Sequence, residues 1–135
     1  MENEKKKITA YLIDTEKQEH RKVEIEDSLE TYYRMLHCDC IDIVTRAVGP
    51  EKIPYDIVRD DEGMFHKPRI SAIDRKGVAQ LVGSLMITGL ADENGDLTSL
   101  SDDDAAYIES CIKNLPTAMF PQGNVMLTGV EYAGG

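Results

Sequence analysis

Ile8 to Ile13 is a run of β-branched and aromatic residues, and Arg21 to Ile25 alternates polar with apolar so that Val23 and Ile25 share a face. The polar stretch between them, Thr15 to His20, makes the pair an opening β-hairpin. Leu29, Tyr32, Tyr33 and Leu36 then recur at helical spacing behind Asp27 and Ser28, either of which can satisfy the free amides of a first turn. Cys40 to Arg46 reads as the next strand, ended by Gly49-Pro50, and Tyr55 to Arg59 as another. Asp60-Asp61-Glu62-Gly63 forms the expected tight turn onto Met64-Phe65. Beyond Pro68, the stretch Arg69 to Asp74 fits either an extended segment or a single helical turn.

Ala79 to Gly89 is an apolar run of strand length, expected as one central strand, with Asp92-Glu93-Asn94-Gly95-Asp96 as the turn after it. Ser101 before Asp102, Asp103 and Asp104 is a helix start, since serine caps and the carboxylates sit at the positive end of the macrodipole. Ala105, Tyr107, Ile108, Cys111, Ile112 and Leu115 would form its buried stripe, ended by Pro116. Val125 to Thr128 is one more strand candidate. The pattern predicts an α+β fold: a mainly antiparallel sheet of five to six strands with two helices packed on one face. Residues 1–115 are expected as a single domain, and residues 116–135 as a C-terminal extension.

Composition narrows the function classes. The 135 residues carry 15 Lys+Arg against 25 Asp+Glu, a formal charge of −10, and this average field opposes nucleic-acid phosphates. Gly77 to Ala91, the longest nearly uncharged stretch, falls short of the ~20 apolar residues of a membrane span. Met1 to Lys7 lacks the features of a signal peptide, and three cysteines fit reduced thiols in a cytoplasm.

Catalytic patterns are missing from the chain. Neither a P-loop nor a Gly-x-Ser-x-Gly elbow is present, and the three histidines are scattered. His37-Cys38-x-Cys40, with Cys111 or His66 as further donors, invites a zinc reading, but a Cys-x-Cys spacing within a strand separates the thiols by ~6.5 Å, and buried inert thiols are expected instead. Asp92 to Asp96 resembles a calcium loop but has its glycine before the third ligand and no terminal Glu, so it reads as a plain turn. Asp60-Asp61-Glu62 reads as solvated acid rather than a magnesium site. No metal and no cofactor is expected. The charge anomaly lies between Met64 and Lys76, where Lys67, Arg69, Arg75 and Lys76 face only Asp74, a local +3 in an acidic chain. Such a segment can hold a small anion while the wider field rejects polyanions.

Tyr32 to Val44, Tyr55 to Gly63, Leu81 to Gly89 and Leu97 to Ser101 together resemble the small proteins grouped as domain of unknown function 3846, over about residues 8–115. The resemblance implies a cytoplasmic protein of phage or Firmicute type, and Arg69 is the polar position it carries over first. In size and setting such a protein is similar to viral proteins that sequester nucleotide signals of bacterial immunity. The expectation is therefore a non-enzymatic, homo-oligomeric binder of a nucleotide-derived anion, a cyclic nucleotide or an ADP-ribose derivative, that blunts host immune signalling. Lys67 and Arg69 would grip phosphate, with Arg46 as a second clamp and Tyr33 as the stacking surface. The alternatives are an acidic DNA mimic that inhibits a host nuclease or another DNA-binding partner, and a weak hydrolase of the same nucleotides.

Overall fold

The computed structural model describes residues 6–62 and 69–133. Within them the chain runs β1 (Lys7–Asp14), β2 (Glu19–Glu26), α1 (Leu29–Leu36), β3 (Ile41–Val48), β4 (Ile53–Asp60), β5 (Ile70–Ile73), β6 (Ala79–Val82), β7 (Leu85–Thr88), α2 (Asp102–Ser110), β8 (Ile112–Leu115), β9 (Asn124–Leu127) and β10 (Glu131–Tyr132). The fold is α+β. A six-stranded antiparallel sheet has the order β10-β3-β4-β7-β1-β2, and a four-stranded sheet has the order β6-β5-β9-β8. The second sheet is mixed, because β5 runs parallel to β9 through Ala72 opposite Leu127 while its other pairs are antiparallel.

The central strands bury both faces, as the two-residue period of a strand allows. Tyr11, Ile13, Tyr55, Ile57, Leu85 and Ile87 point to one side, where they meet Ala72, Leu81, Val125 and Leu127 of the second sheet and Ala105 and Ile108 of α2. Ile8, Ala10, Leu12, Val58 and Met86 point to the other side, against Tyr32 and Leu36 of α1. The two helices therefore lie on opposite faces of the large sheet, not on one. Each starts at a serine: Ser28 Oγ accepts from the Thr31 amide and Ser101 Oγ from the Asp104 amide. Tyr55 ties α2 down by donating its hydroxyl to Asp104 at 2.7 Å.

Three further expectations change. The apolar run from Ala79 to Gly89 is two strands in different sheets, because Gly83 takes φ +80 and redirects the chain, while Ser84 Oγ accepts from the Thr15 amide at 3.0 Å. The helix after Ser101 stops at Ser110 instead of running to Pro116. Ile112–Leu115 becomes β8, whose backbone pairs with Asn124–Leu127, so a tertiary partner overrides the helical spacing of Ile112 and Leu115. Residues 116–133 are woven into both sheets through β9 and β10, and Val125, Met126, Leu127 and Val130 are buried. Met64 and Phe65, and the closing Gly63 of the expected hairpin, lie outside the described residues.

The sheets are joined where the turn after β3 meets the turn after β9. The Gly49 amide donates to the Gly129 carbonyl at 3.0 Å, and both residues have positive φ, +74 and +70. A Cβ on Gly129 would stand 2.9 Å from the Gly49 Cα, and one on Gly49 would clash with the Tyr107 hydroxyl. Gly129→Ala is therefore expected to cost about 3 kcal/mol, combining left-handed strain with a backbone clash. Gly77→Ala, at φ +85 with nothing within 4 Å, should cost only about 1 kcal/mol. Urea unfolding of the two variants checks the difference.

Candidate functional site

The structure separates the residues expected to form one site. Tyr33 lies half-buried on α1, on the face of the large sheet covered by that helix. Arg46 lies on β3 opposite Tyr55, whose side chain belongs to the other face. Its guanidinium stacks 4.4 Å from the Tyr132 ring centroid, and one terminal nitrogen donates to its neighbour's carbonyl, Thr45 O, at 2.9 Å. Arg69 stands just before β5 in the second sheet. Its Nε donates to Asn124 Oδ1 at 2.7 Å, Nη2 donates to the Gly123 carbonyl at 3.2 Å, and the guanidinium covers the Phe120 ring at 3.9 Å. Asn124 is fully buried and passes the network on to Leu115 O and Thr117 Oγ1. Arg69 thus holds the Phe120–Asn124 loop against the sheet, with Nε and Nη2 both donating to protein. Lys67 and His66 lie outside the described residues.

Other cations of the basic segment meet at a different place. An open cleft of about 530 Å³ is lined by Gly49 and Pro50 from the β3–β4 turn, Ile73 to Gly77 from β5 and the β5–β6 turn, Lys113 and Leu115 from β8, and Thr128 and Gly129 after β9. Asp74 does not oppose the cations freely: its Oδ1 accepts from the Lys76 and Val78 amides at 2.8 and 2.9 Å and its Oδ2 from Gln80 Nε2 at 3.3 Å, closing its own turn. Arg75 pairs with Glu131 at 2.9 Å. Among the described residues, Lys76 and Lys113 form no side-chain ion pair, and both are exposed, whereas Ile73 and Leu115 are half-buried. Charge therefore lies toward solvent and aliphatic surface lies deeper. Arg75 and Lys76 were legible as part of the +3 segment; Lys113, Gly49 and Gly129 come from distant segments with no local signal.

The metal readings find ordinary structural roles. Asp92 Oδ1 accepts from the Asn94 and Asp96 amides at 2.9 and 3.0 Å, so its carboxylate is turned into its own loop. Asp60 Oδ1 likewise accepts from the Glu62 amide at 2.8 Å. No group of three metal-donor side chains is found among the described residues. Cys38, Cys40 and Cys111 are free thiols, and Cys111 is buried in the core between the sheets; Cys40, expected to be buried, is exposed and Cys38 only half-buried, because both precede β3 instead of lying within it. Burial and, second, the Asp60 carboxylate push the Cys38 thiol up to about 11, and burial also raises Cys111.

Two outcomes follow from this chemistry. Arg69→Ala is expected to destabilise the protein by about 2–3 kcal/mol, since it leaves the buried Asn124 carbonyl oxygen without its donor, and chemical denaturation measures it. A disulfide reagent at pH 8 should modify exposed Cys40 first, because only about one Cys38 in a thousand is then thiolate. Mass mapping of the first labelled peptide checks the order, and the Cys38 rate should climb as pH approaches 11.

No helix among the described residues is long and apolar enough to cross a membrane. A search of curated proteins and of solved structures finds no match. The family model described as domain of unknown function (DUF3846) matches residues 8–113, from the second residue of β1 into β8. It therefore spans the large sheet except β10, both helices and the Arg75–Lys76 and Lys113 walls of the cleft, and the chain belongs to the DUF3846 family.

Proposed function

We propose that the protein is a non-catalytic binding protein for a small nucleotide-derived anion, taken in the cleft between the β3–β4 and β5–β6 turns. The observation that carries this reading is the pair of lysines, Lys76 and Lys113, that line an open cleft without ion-pair partners among the described residues, beside half-buried Ile73 and Leu115. A phosphate needs cations that are not already neutralised, and a base needs apolar surface to lie on. A cleft of about 530 Å³ is within the range of small-molecule sites. The net charge of −10 works in the same direction, repelling polyanions while the local cations admit a compact one. The Arg75–Glu131 pair adds a guanidinium that an incoming phosphate can share or capture.

This reading keeps the ligand class suggested by the basic segment but moves the contacts. Lys76 and Lys113 take the place of Arg69 and Arg46, whose guanidinium groups are committed to Asn124, Gly123 and Phe120 and to Tyr132. Cyclic nucleotides and ADP-ribose derivatives are the compounds to screen, and a phage-type role in withholding such a signal from host immunity is the biological form of the proposal.

The test is a melting-temperature panel with those compounds, followed by titration calorimetry on any hit. A ligand at about 100 times its Kd should add about 2.7 kcal/mol of stability. Lys76→Glu and Lys113→Glu are each expected to weaken binding at least tenfold while leaving the melting temperature of the free protein within about 2 °C, since both side chains are exposed and form no ion pair among the described residues. A flat panel, or a hit whose affinity survives both substitutions, removes the cleft as the site. Recovery of altered nucleotide after incubation would instead make the protein a hydrolase.

A further inference from the structure

The large sheet ends at β2, whose outer edge pairs with no strand among the described residues. Of the outer strands, β10 has two residues and β6 and β8 have four, and the β5–β6 register is irregular. β2 is different. Its eight residues pair with β1 in unbroken register from Lys7 opposite Glu26 to Asp14 opposite Glu19, without proline or bulge. A long, regular edge of this kind offers a row of free backbone donors and acceptors to another strand.

The side chains on that edge select the partner. Val23 and Ile25 pack toward the α1 side of the sheet, so His20, Lys22, Glu24 and Glu26 alternate onto the other face. When two copies of β2 pair antiparallel about a two-fold axis, the residue on the axis fixes every cross-strand neighbour. With Val23 on the axis, Lys22 of each copy stands opposite Glu24 of the other, His20 opposite Glu26, and Arg21 opposite Ile25. An axis one residue earlier sets Lys22 against Lys22; one residue later sets Glu24 against Glu24, offset by two Lys22–Glu26 pairs, but pairs only residues 22–26 where the Val23-centred register pairs 20–26. Opposite charges across a strand pair stabilise it and like charges oppose it, so the Val23-centred register, which has no like-charge pair within the strand and seven paired residues, is favoured over the other two. We propose that a second copy of this chain docks on β2 in the Val23-centred register, joining the two six-stranded sheets into one. The mixed charges that admit this partner disfavour strands of unrelated sequence.

Among the described residues, existing contacts do not block the edge. Lys22 reaches Asp102 at 3.2 Å in an exposed pair, an interaction weak enough to exchange for Glu24 of the other copy. His20 stacks on Tyr11 with its Nδ1 2.7 Å from the Tyr11 hydroxyl, which fixes the imidazole on the face opposite Val23. The proposal is independent of the cleft, which lies at the turns of β3–β4, β5–β6 and β9–β10.

Sedimentation of the full chain at concentrations up to about 100 µM tests it, with melting curves confirming that each variant is folded. The wild type is expected to dimerise. Lys22→Glu and Glu24→Lys, each of which turns two cross-strand attractions into repulsions, should weaken the dimer about tenfold, and the double variant, which restores opposite charges with the signs exchanged, should recover the wild-type constant within about threefold. A wild type that stays monomeric throughout the range, single variants that dimerise as tightly as wild type, or a double variant that fails to recover would each overturn the proposal. Nucleotide titrations read the cleft, so loss of one result leaves the other standing.

Discussion

The close approach of Gly49 and Gly129 is the constraint on which the architecture turns. It brings the end of β3, in the six-stranded sheet, against the turn after β9, in the four-stranded sheet, with an amide-to-carbonyl bond of 3.0 Å and no room for a side chain on either residue. Tyr107 of α2 closes over the junction, accepting from the Glu51 amide at 3.0 Å and donating to the Val48 carbonyl at 2.7 Å. Through these contacts one helix and two sheets share a single core of Tyr11, Ile57, Ile87, Ile108 and Leu127. The proposed ligand cleft is the outer side of the same junction, which is why its walls come from four separate segments.

The basic segment shows how a structure sorts charges that a sequence can only add up. Arg69 is drawn into the Asn124 network and the Phe120 ring, a role that depends on its planar fork and flat face. Arg75 clasps Glu131 at the start of β10, while Arg46 clasps Tyr132 next to it, so this two-residue edge strand is fastened by a cation at each residue. Lys76 is left exposed, and the fold brings Lys113 to the same cleft. Asp74, the one acid of the segment, serves its own turn through three hydrogen bonds.

The elements read from local pattern survive where local physics decides them. The opening hairpin, the Ser28 and Ser101 caps and the Asp92 turn each depend on residues a few positions apart, and they form within one or two residues of the expected bounds. The misread elements are those whose fate rests on a distant partner. Gly83 breaks an apolar run because the two halves belong to different sheets, and Ile112 leaves the helix because β9 offers its backbone a ladder. Tyr33, Arg46 and Arg69 were grouped by residue type, yet a sheet with two buried faces puts Tyr33 on the far side from Arg46 and gives Arg69 to the second sheet.

The sequence by itself determined an α+β chain with two capped helices, a strongly acidic field and one basic island, because period, capping chemistry and net charge are properties of neighbouring residues or of their sum. The tertiary structure alone decided that the strands divide into two sheets, that the helices take opposite faces, that residues 124–130 enter the core and β9 and β10 join the sheets, and that Lys76 and Lys113 share a cleft while Arg69 does not. Those outcomes depend on which backbone edges pair and on where two glycines permit the chain to touch itself, and neither is encoded within any single stretch of residues.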